Sequence, residues 1–260
     1  MLSVSVLGCG AIGGVVARAL QAGEVPGVVL AGVAHRDPVD PPDLPVIDEA
    51  ALLVSSDLVV ECAGHAALSG TGPSVVAAGL DLFVTSVGAL ADADLLRTLS
   101  AGPGRVQLTT GAIGGLDLIR SAAAMGGLRR VRITTTKRPE ILGQKWMTDT
   151  ELSRLGSATE PLVLREGSAR EIATAFPRSA NVAASVALAA GDWEVVEAAV
   201  VADPGAERTT HVIEAEGNAG RYRFEIENLP SEQTPTTSAV VPYAVLRAIG
   251  ELAGRSPVFR

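Results

Sequence analysis

Cysteine, histidine and aromatic residues are all scarce in this 260-residue chain: there are two cysteines and three histidines, and aromatics make up 3%. Two thiols cannot build a disulfide framework, so Cys9 and Cys62 read as reduced cytosolic cysteines. Basic residues are outnumbered, with 21 Lys and Arg against 29 Asp and Glu and a net charge of −8. That balance argues against a nucleic-acid partner or an anionic membrane surface. No apolar run reaches the ~18 residues of a membrane span. No basic residue precedes Arg18, so no signal peptide is expected. Metal-ligand clusters are absent from the sequence, as are a G-x-S-x-G elbow and a Cys/His nucleophile arrangement. What is present is apolar: the hydrophobic set is 47% and charged residues only 19%. That composition excludes disorder, and a chain of this length buries ~70–75% of its unfolded surface without staples. A soluble, cytoplasmic globular protein is expected.

The first 110 residues alternate apolar strand-like runs with helical stretches. Leu2–Leu7, Val28–Val33, Leu58–Glu61, Leu82–Val87 and Val106–Thr109 read as buried strands. Ala11–Ala22, Pro73–Ala78 and Asp92–Leu99 read as helical, and Pro38–Pro45 as a loop. Such alternation means βαβ units and a parallel sheet covered on both faces. After Gly111 the rhythm changes to longer strands at Arg129–Thr136, Val195–Ala202, His211–Glu216 and Tyr222–Ile226, with few helices among them. Tyr222, Phe224 and Ile226 alternate with Arg221, Arg223, Glu225 and Glu227, the period of a sheet with one covered and one wet face. Asn181–Ala190 reads as a buried helix and Ser238–Ala253 as an amphipathic one. The expected fold class is α/β: a Rossmann-type parallel-sheet domain (1–111), an inserted α+β domain (112–237), and a C-terminal helix (238–260) returning to the first domain.

Leu2–Leu7 runs directly into Gly8-Cys9-Gly10-Ala11-Ile12-Gly13 and then a helical stretch. This is G-x-G-x-x-G in the context its chemistry requires. Gly8 makes the tight turn, Gly10 lets backbone approach a pyrophosphate, and Gly13 lets the helix pack on the strand with its N-terminus facing negative charge. The alternative is an ordinary glycine-rich turn. Gly8, Gly10, Ala11, Ile12 and Gly13 are the expected contacts of a dinucleotide, NAD or NADP. Cys62 and Ala63, at the end of the third strand, are expected to join them, with His65 as a lining residue. At the tip of the second strand the ribose reader is ordinarily a carboxylate. Here it reads His35-Arg36, with Asp37 later. A guanidinium suits a 2′-phosphate, so His35 and Arg36 favour NADP or use of both cofactors. The alternative is that Arg36 is solvated and NAD is used.

Beyond the glycine loop, longer strings carry a family likeness. They include Glu61-Cys62-Ala63-Gly64, Ser86-Val87-Gly88-Ala89-Leu90 and Gly111-Ala112-Ile113-Gly114-Gly115-Leu116-Asp117. Gly126-Gly127-Leu128, Gly167-Ser168-Ala169-Arg170-Glu171, Asn181-Val182-Ala183-Ala184 and Ala202-Asp203-Pro204 continue the series. The chain resembles the L-aspartate dehydrogenase family over essentially its whole length. The resemblance implies reversible NAD(P)-dependent oxidative deamination of L-aspartate to iminoaspartate, which hydrolyses to oxaloacetate and ammonia or feeds NAD biosynthesis. It also implies a homodimer, and an α+β domain whose sheet roofs the active site. Ala112 and Asn181 take the family's cofactor-contact positions, although Asn181 also suits a helix N-cap. His211 takes the position of its catalytic histidine. On a strand face shared with Ile213 and Ala215, such a ring can exchange a proton near neutral pH. A dicarboxylic amino acid needs cations, and Lys137 and Arg138, at a strand end, are the candidates for its carboxylates or for cofactor phosphates. A solvated basic pair is the alternative.

Three positions depart from the family pattern. Thr209 stands where an asparagine is usual, Thr236 where a lysine is usual, and Lys137-Arg138-Pro139 inverts an Arg-Lys-Pro string. These leave open a dehydrogenase of another small amino or hydroxy acid, or a catalytically silent dinucleotide-binding redox sensor.

Overall fold

A computed structural model describes residues 1–36, 43–179 and 181–254. Asp37 and most of the loop expected at 38–45 lie outside the described residues. The chain forms two compact units, residues 1–111 with the C-terminal residues from 240, and residues 112–239.

The first unit begins with β1 (Leu2–Leu7), α1 (Gly13–Gln21), β2 (Val28–Ala34), α2 (Glu49–Ser55) and β3 (Leu58–Glu61). It continues with α3 (His65–Ala77), β4 (Asp81–Val84), α4 (Ala93–Ala101) and β5 (Val106–Leu108). All pairings are parallel, in the order β2-β1-β3-β4-β5. An isolated parallel bridge joins Val33 of β2 to Val46 on the strand's outer edge. It stands where the doubly wound dinucleotide fold carries a sixth strand, reduced here to a single residue. Two expectations are corrected. The fourth strand stops at Val84, and Val87–Ala91 form a 3₁₀ turn. The helix expected from Pro73 starts at His65, with Pro73 inside it.

The second unit holds α5 (Leu116–Ala124), β6 (Leu128–Lys137), α6 (Asp149–Gly156), β7 (Leu162–Ser168) and α7 (Ala169–Ala175). After these come α8 (Asn181–Ala190), β8 (Val196–Ala202), β9 (Thr209–Gly217) and β10 (Gly220–Asn228). The expectation of few helices here is therefore wrong. Thr148 with Glu151 and Ser168 with Glu171 form capping boxes that start α6 and α7. The mixed sheet runs β10-β9-β6-β8-β7, with β6 and β8 parallel and the other pairs antiparallel. One face meets α5, α7 and α8 in an apolar core that includes Ile133, Phe176, Val186, Val200 and Ile213. Along β9 the residues Thr209, His211, Ile213 and Ala215 are buried, and Glu214 is exposed. The other face carries Arg–Glu pairs such as Arg132–Glu166 and Arg223–Glu214, surface contacts worth at most ~1 kcal/mol each.

The last helix, α9 (Val241–Leu252), belongs to the first unit and packs on α1. Val245 and Ile249 are fully buried, at roughly 1.5–3 kcal/mol each, which secures the returning chain.

Candidate active site

In the first unit, the loops at the carboxyl ends of β1, β2, β3 and β4 converge. Gly8 N–H donates to Ala34 O at 2.8 Å and Cys62 N–H to Leu7 O at 2.7 Å, tying the glycine loop to the ends of β2 and β3. Gly8 has φ +95°, and a Cβ there would stand 2.7 Å from Ala63, so only glycine lets these loops touch. A Cβ on Gly10 would meet nothing within 4 Å. That open cradle faces the start of α1 and fits a pyrophosphate on the helix N-terminus. Gly8, Gly10, Ala11, Ile12, Gly13, Cys62 and Ala63 thus lie together. Half-buried His35 and exposed Arg36 follow the tip of β2. Both cysteines are free, and burial pushes each thiol's pKa up, so neither is poised as a nucleophile.

Two residues here escaped sequence reasoning. Glu61 is fully buried at the end of β3. Its carboxylate accepts from Ala63 N–H (2.8 Å), Gly64 N–H (2.9 Å), Ser86 N–H (3.0 Å) and Ser86 Oγ (2.8 Å). One side chain therefore organises the loops after β3 and β4. Its signal was a carboxylate closing an apolar run ahead of small residues. Arg18 folds back over Gly14, its guanidinium 3.2 Å from where a Cβ would stand. It places a cation at the loop because helix side chains tilt toward the N-terminus.

The second unit gathers polar groups at one end of its sheet's covered face. Register pairs Thr135 of β6 with His211 of β9, and Thr209 with Asn228 of β10. Lys137 closes β6 at the same end. The helix α8 leads through a short turn into β8 and packs on β6 and β8, so Asn181, its first residue, lies toward that end as well. His211 is 2% exposed, with Nδ1 3.1 Å from Thr135 Oγ1. Burial, and then the charge of Lys137, lower its pKa to about 3, so the ring is neutral at neutral pH. Lys137 is 4% exposed and its Nζ donates to Thr236 O at 2.8 Å. Among the described residues no carboxylate pairs with it, and burial lowers its pKa to about 8. Position 236 contributes a backbone carbonyl, which any residue supplies. Ala112 joins the group through its carbonyl, which accepts from Asn228 Nδ2 at 2.7 Å. Asn228 is a third residue that sequence reasoning missed. Ser179 Oγ, two residues ahead of α8, is buried without a hydrogen-bond partner among the described residues, as a group awaiting a ligand would be.

Arg138 behaves differently. It is exposed and paired with Glu140 at 3.3 Å. It lines a cavity of about 430 Å³ with Ile141, Arg208, Thr209, Pro230 and Pro235. Thr209 belongs both to this cavity and to the face that carries His211.

The neutral histidine sets an acid limit on stability. Its folded pKa is about 3 against an ordinary 6.5, so the unfolded chain takes up the proton first as pH falls. The ring's contribution is complete above 6.5 and declines by about 1.4 kcal/mol per pH unit below it, down to about pH 3. Urea denaturation of wild type and His211→Gln at a series of pH values is expected to show the difference between them shrinking at that slope. A difference independent of pH would contradict a neutral buried ring.

A Rossmann sheet with an open glycine cradle, joined to a unit that presents a buried histidine and a buried ammonium, defines a nicotinamide-dinucleotide-dependent oxidoreductase. Comparison with known proteins narrows the class. Residues 8–102 match the family model for the homoserine dehydrogenase NAD-binding domain, and 117–252 that for the aspartate dehydrogenase C-terminal region. The chain is 36% identical to an L-aspartate dehydrogenase of Methanosarcina mazei, covering 97% of this chain and 96% of that one. It is 37% identical to one of Pseudomonas aeruginosa, at 97% and 98% coverage. The crystal structure of aspartate dehydrogenase from Thermotoga maritima superimposes with a TM-score of 0.78 at 28% identity, covering 100% of this chain and 99% of that one. The chain belongs to the aspartate dehydrogenase family.

Proposed function

We propose that this protein catalyses the reversible oxidative deamination of L-aspartate to iminoaspartate, which hydrolyses to oxaloacetate and ammonia. One observation carries the reading: a buried, neutral histidine hydrogen-bonded to a threonine hydroxyl, beside a buried ammonium that has no counter-ion among the described residues. The first unit would hold the dinucleotide on the glycine cradle, with Ala112, Asn181 and the orphaned Ser179 hydroxyl as its contacts in residues 112–237. When bound, the nicotinamide supplies the hydride acceptor or donor.

The chain's own residues manage the protons. A hydroxyl both donates and accepts, so Thr135 can hold either tautomer of His211. With Nδ1–H donating to Thr135 Oγ1, the Nε2 lone pair takes the proton of the substrate's amine as hydride departs, or that of the water attacking the imine. In reductive amination the same proton runs back: the ring protonated at Nε2 gives it to the imine nitrogen as hydride arrives, and is left neutral. The low pKa keeps the ring unprotonated at neutral pH, with its Nε2 lone pair free to accept. The neighbouring ammonium attracts a carboxylate substrate to this end of the sheet and stabilises it there.

Arg36 carries the cofactor preference, NADP or both cofactors, because a guanidinium at the β2 tip matches a 2′-phosphate. A homodimer in the cytoplasm completes the reading. The test is an absorbance assay with oxaloacetate and ammonium, comparing NADH with NADPH. Oxidation of both, NADPH favoured, is expected. Arg36→Ala is expected to weaken NADPH binding relative to NADH by roughly tenfold to a hundredfold. An unchanged ratio would make NAD the cofactor and Arg36 a surface residue.

A further inference from the structure

We propose that Lys137 seats the side-chain carboxylate of the substrate and is the residue that restricts the reaction to dicarboxylic amino acids. The proposal rests on the reaction assigned above for its substrate class. An ammonium withdrawn from water costs several kcal/mol unless an anion compensates it. Lys137 is 4% exposed, yet its only partner among the described residues is the neutral carbonyl of Thr236 at 2.8 Å. An ammonium has three donors, so two remain to meet two carboxylate oxygens. The Thr236 carbonyl takes the third donor.

The position selects which carboxylate. Lys137 is two residues beyond Thr135 on the same face of β6, about 7 Å along the strand from the level of His211. The reacting carbon must lie at His211. The α-carboxylate is bonded to that carbon, whereas the side-chain carboxylate stands one carbon farther, toward Lys137. Arg138 is a poorer seat, being exposed and already held by Glu140.

The test compares wild type with Lys137→Met, which keeps the apolar stem and removes a buried charge, and with Lys137→Gln as a second replacement. Two readouts are taken. In reductive amination, kcat/KM for oxaloacetate is expected to fall about a hundredfold in either variant, and that for pyruvate, which lacks the distal carboxylate, only a few-fold. Succinate, a dicarboxylate that cannot react, is expected to raise the melting temperature of wild type and of neither variant, with acetate as the control. Equal losses for the two oxo acids, or equal stabilisation of all three proteins by succinate, would overturn the proposal. Should wild type turn over no oxaloacetate while succinate still depends on Lys137, the assigned reaction falls and the carboxylate seat stands. Should wild type turn over oxaloacetate and neither readout move, the seat falls and the reaction stands.

Discussion

His211→Ala is expected to lose about a thousandfold in turnover while binding dinucleotide as tightly as wild type. Positioned acid–base groups contribute roughly 10²–10⁴. The ring satisfies the geometric conditions for such a role, being held by Thr135 and shielded from bulk water. No other histidine of the described residues lies on this sheet, since His35 follows β2 and His65 opens α3. Alanine leaves a small cavity at a strand position whose neighbours are unaltered, so the fold should persist. The check pairs steady-state kcat with a fluorescence titration of reduced cofactor. Retained binding with lost turnover assigns the proton to His211; full turnover would remove it from the mechanism. Thr135→Val is expected to lose about tenfold, since the ring survives without its tether.

The second large effect is on the dinucleotide unit. Glu61→Ala strips four donors of their acceptor, two of them on buried Ser86 and two on the partly buried Ala63–Gly64 turn. Each orphaned buried donor costs ~1–3 kcal/mol, and relaxation recovers part of the sum, leaving an expected loss of about 3–5 kcal/mol. The melting midpoint should fall by roughly 10 °C, and cofactor affinity should fall with it because the Ala63–Gly64 turn abuts Gly8. Glu61→Gln keeps one acceptor and turns an amide toward donors, so an intermediate loss is expected. Differential scanning calorimetry with cofactor titration decides the matter. A variant as stable as wild type would mean that backbone pairing alone holds these loops.

The parts legible in the sequence are those set by local pattern. β1 and β3 are legible to the residue because their β-rich runs, LSVSVL and LVVE, end at glycine and at a lone carboxylate. The period-two alternation of β10 named its covered face correctly. The start of α3 was hidden by Gly70, Gly72 and Pro73, which argue for a turn although the helix runs through them. Strand β7 is an edge strand with exposed Arg165 and Glu166, so it lacks a covered-face signature. The capping boxes of α6 and α7 were present as T-x-x-E and S-x-x-E, and would have revealed both helices. The polar clusters depend on distance in sequence. Lys137 meets a carbonyl 99 residues away, and Asn228 meets Ala112 across 116. No spacing rule reaches that far, so Lys137 could be nominated from the sequence but its solitude could not be seen.

The bond from Lys137 to residue 236 also bears on how such chains diverge. Because the acceptor is main chain, the bond asks nothing of the side chain at this position, and a threonine there serves the lysine as well as any other residue. An aligned column would count residue 236 as changed, whereas the atom it lends to the lysine is common to every amino acid. Lineages could exchange its side chain repeatedly while the cation beneath it stayed in place.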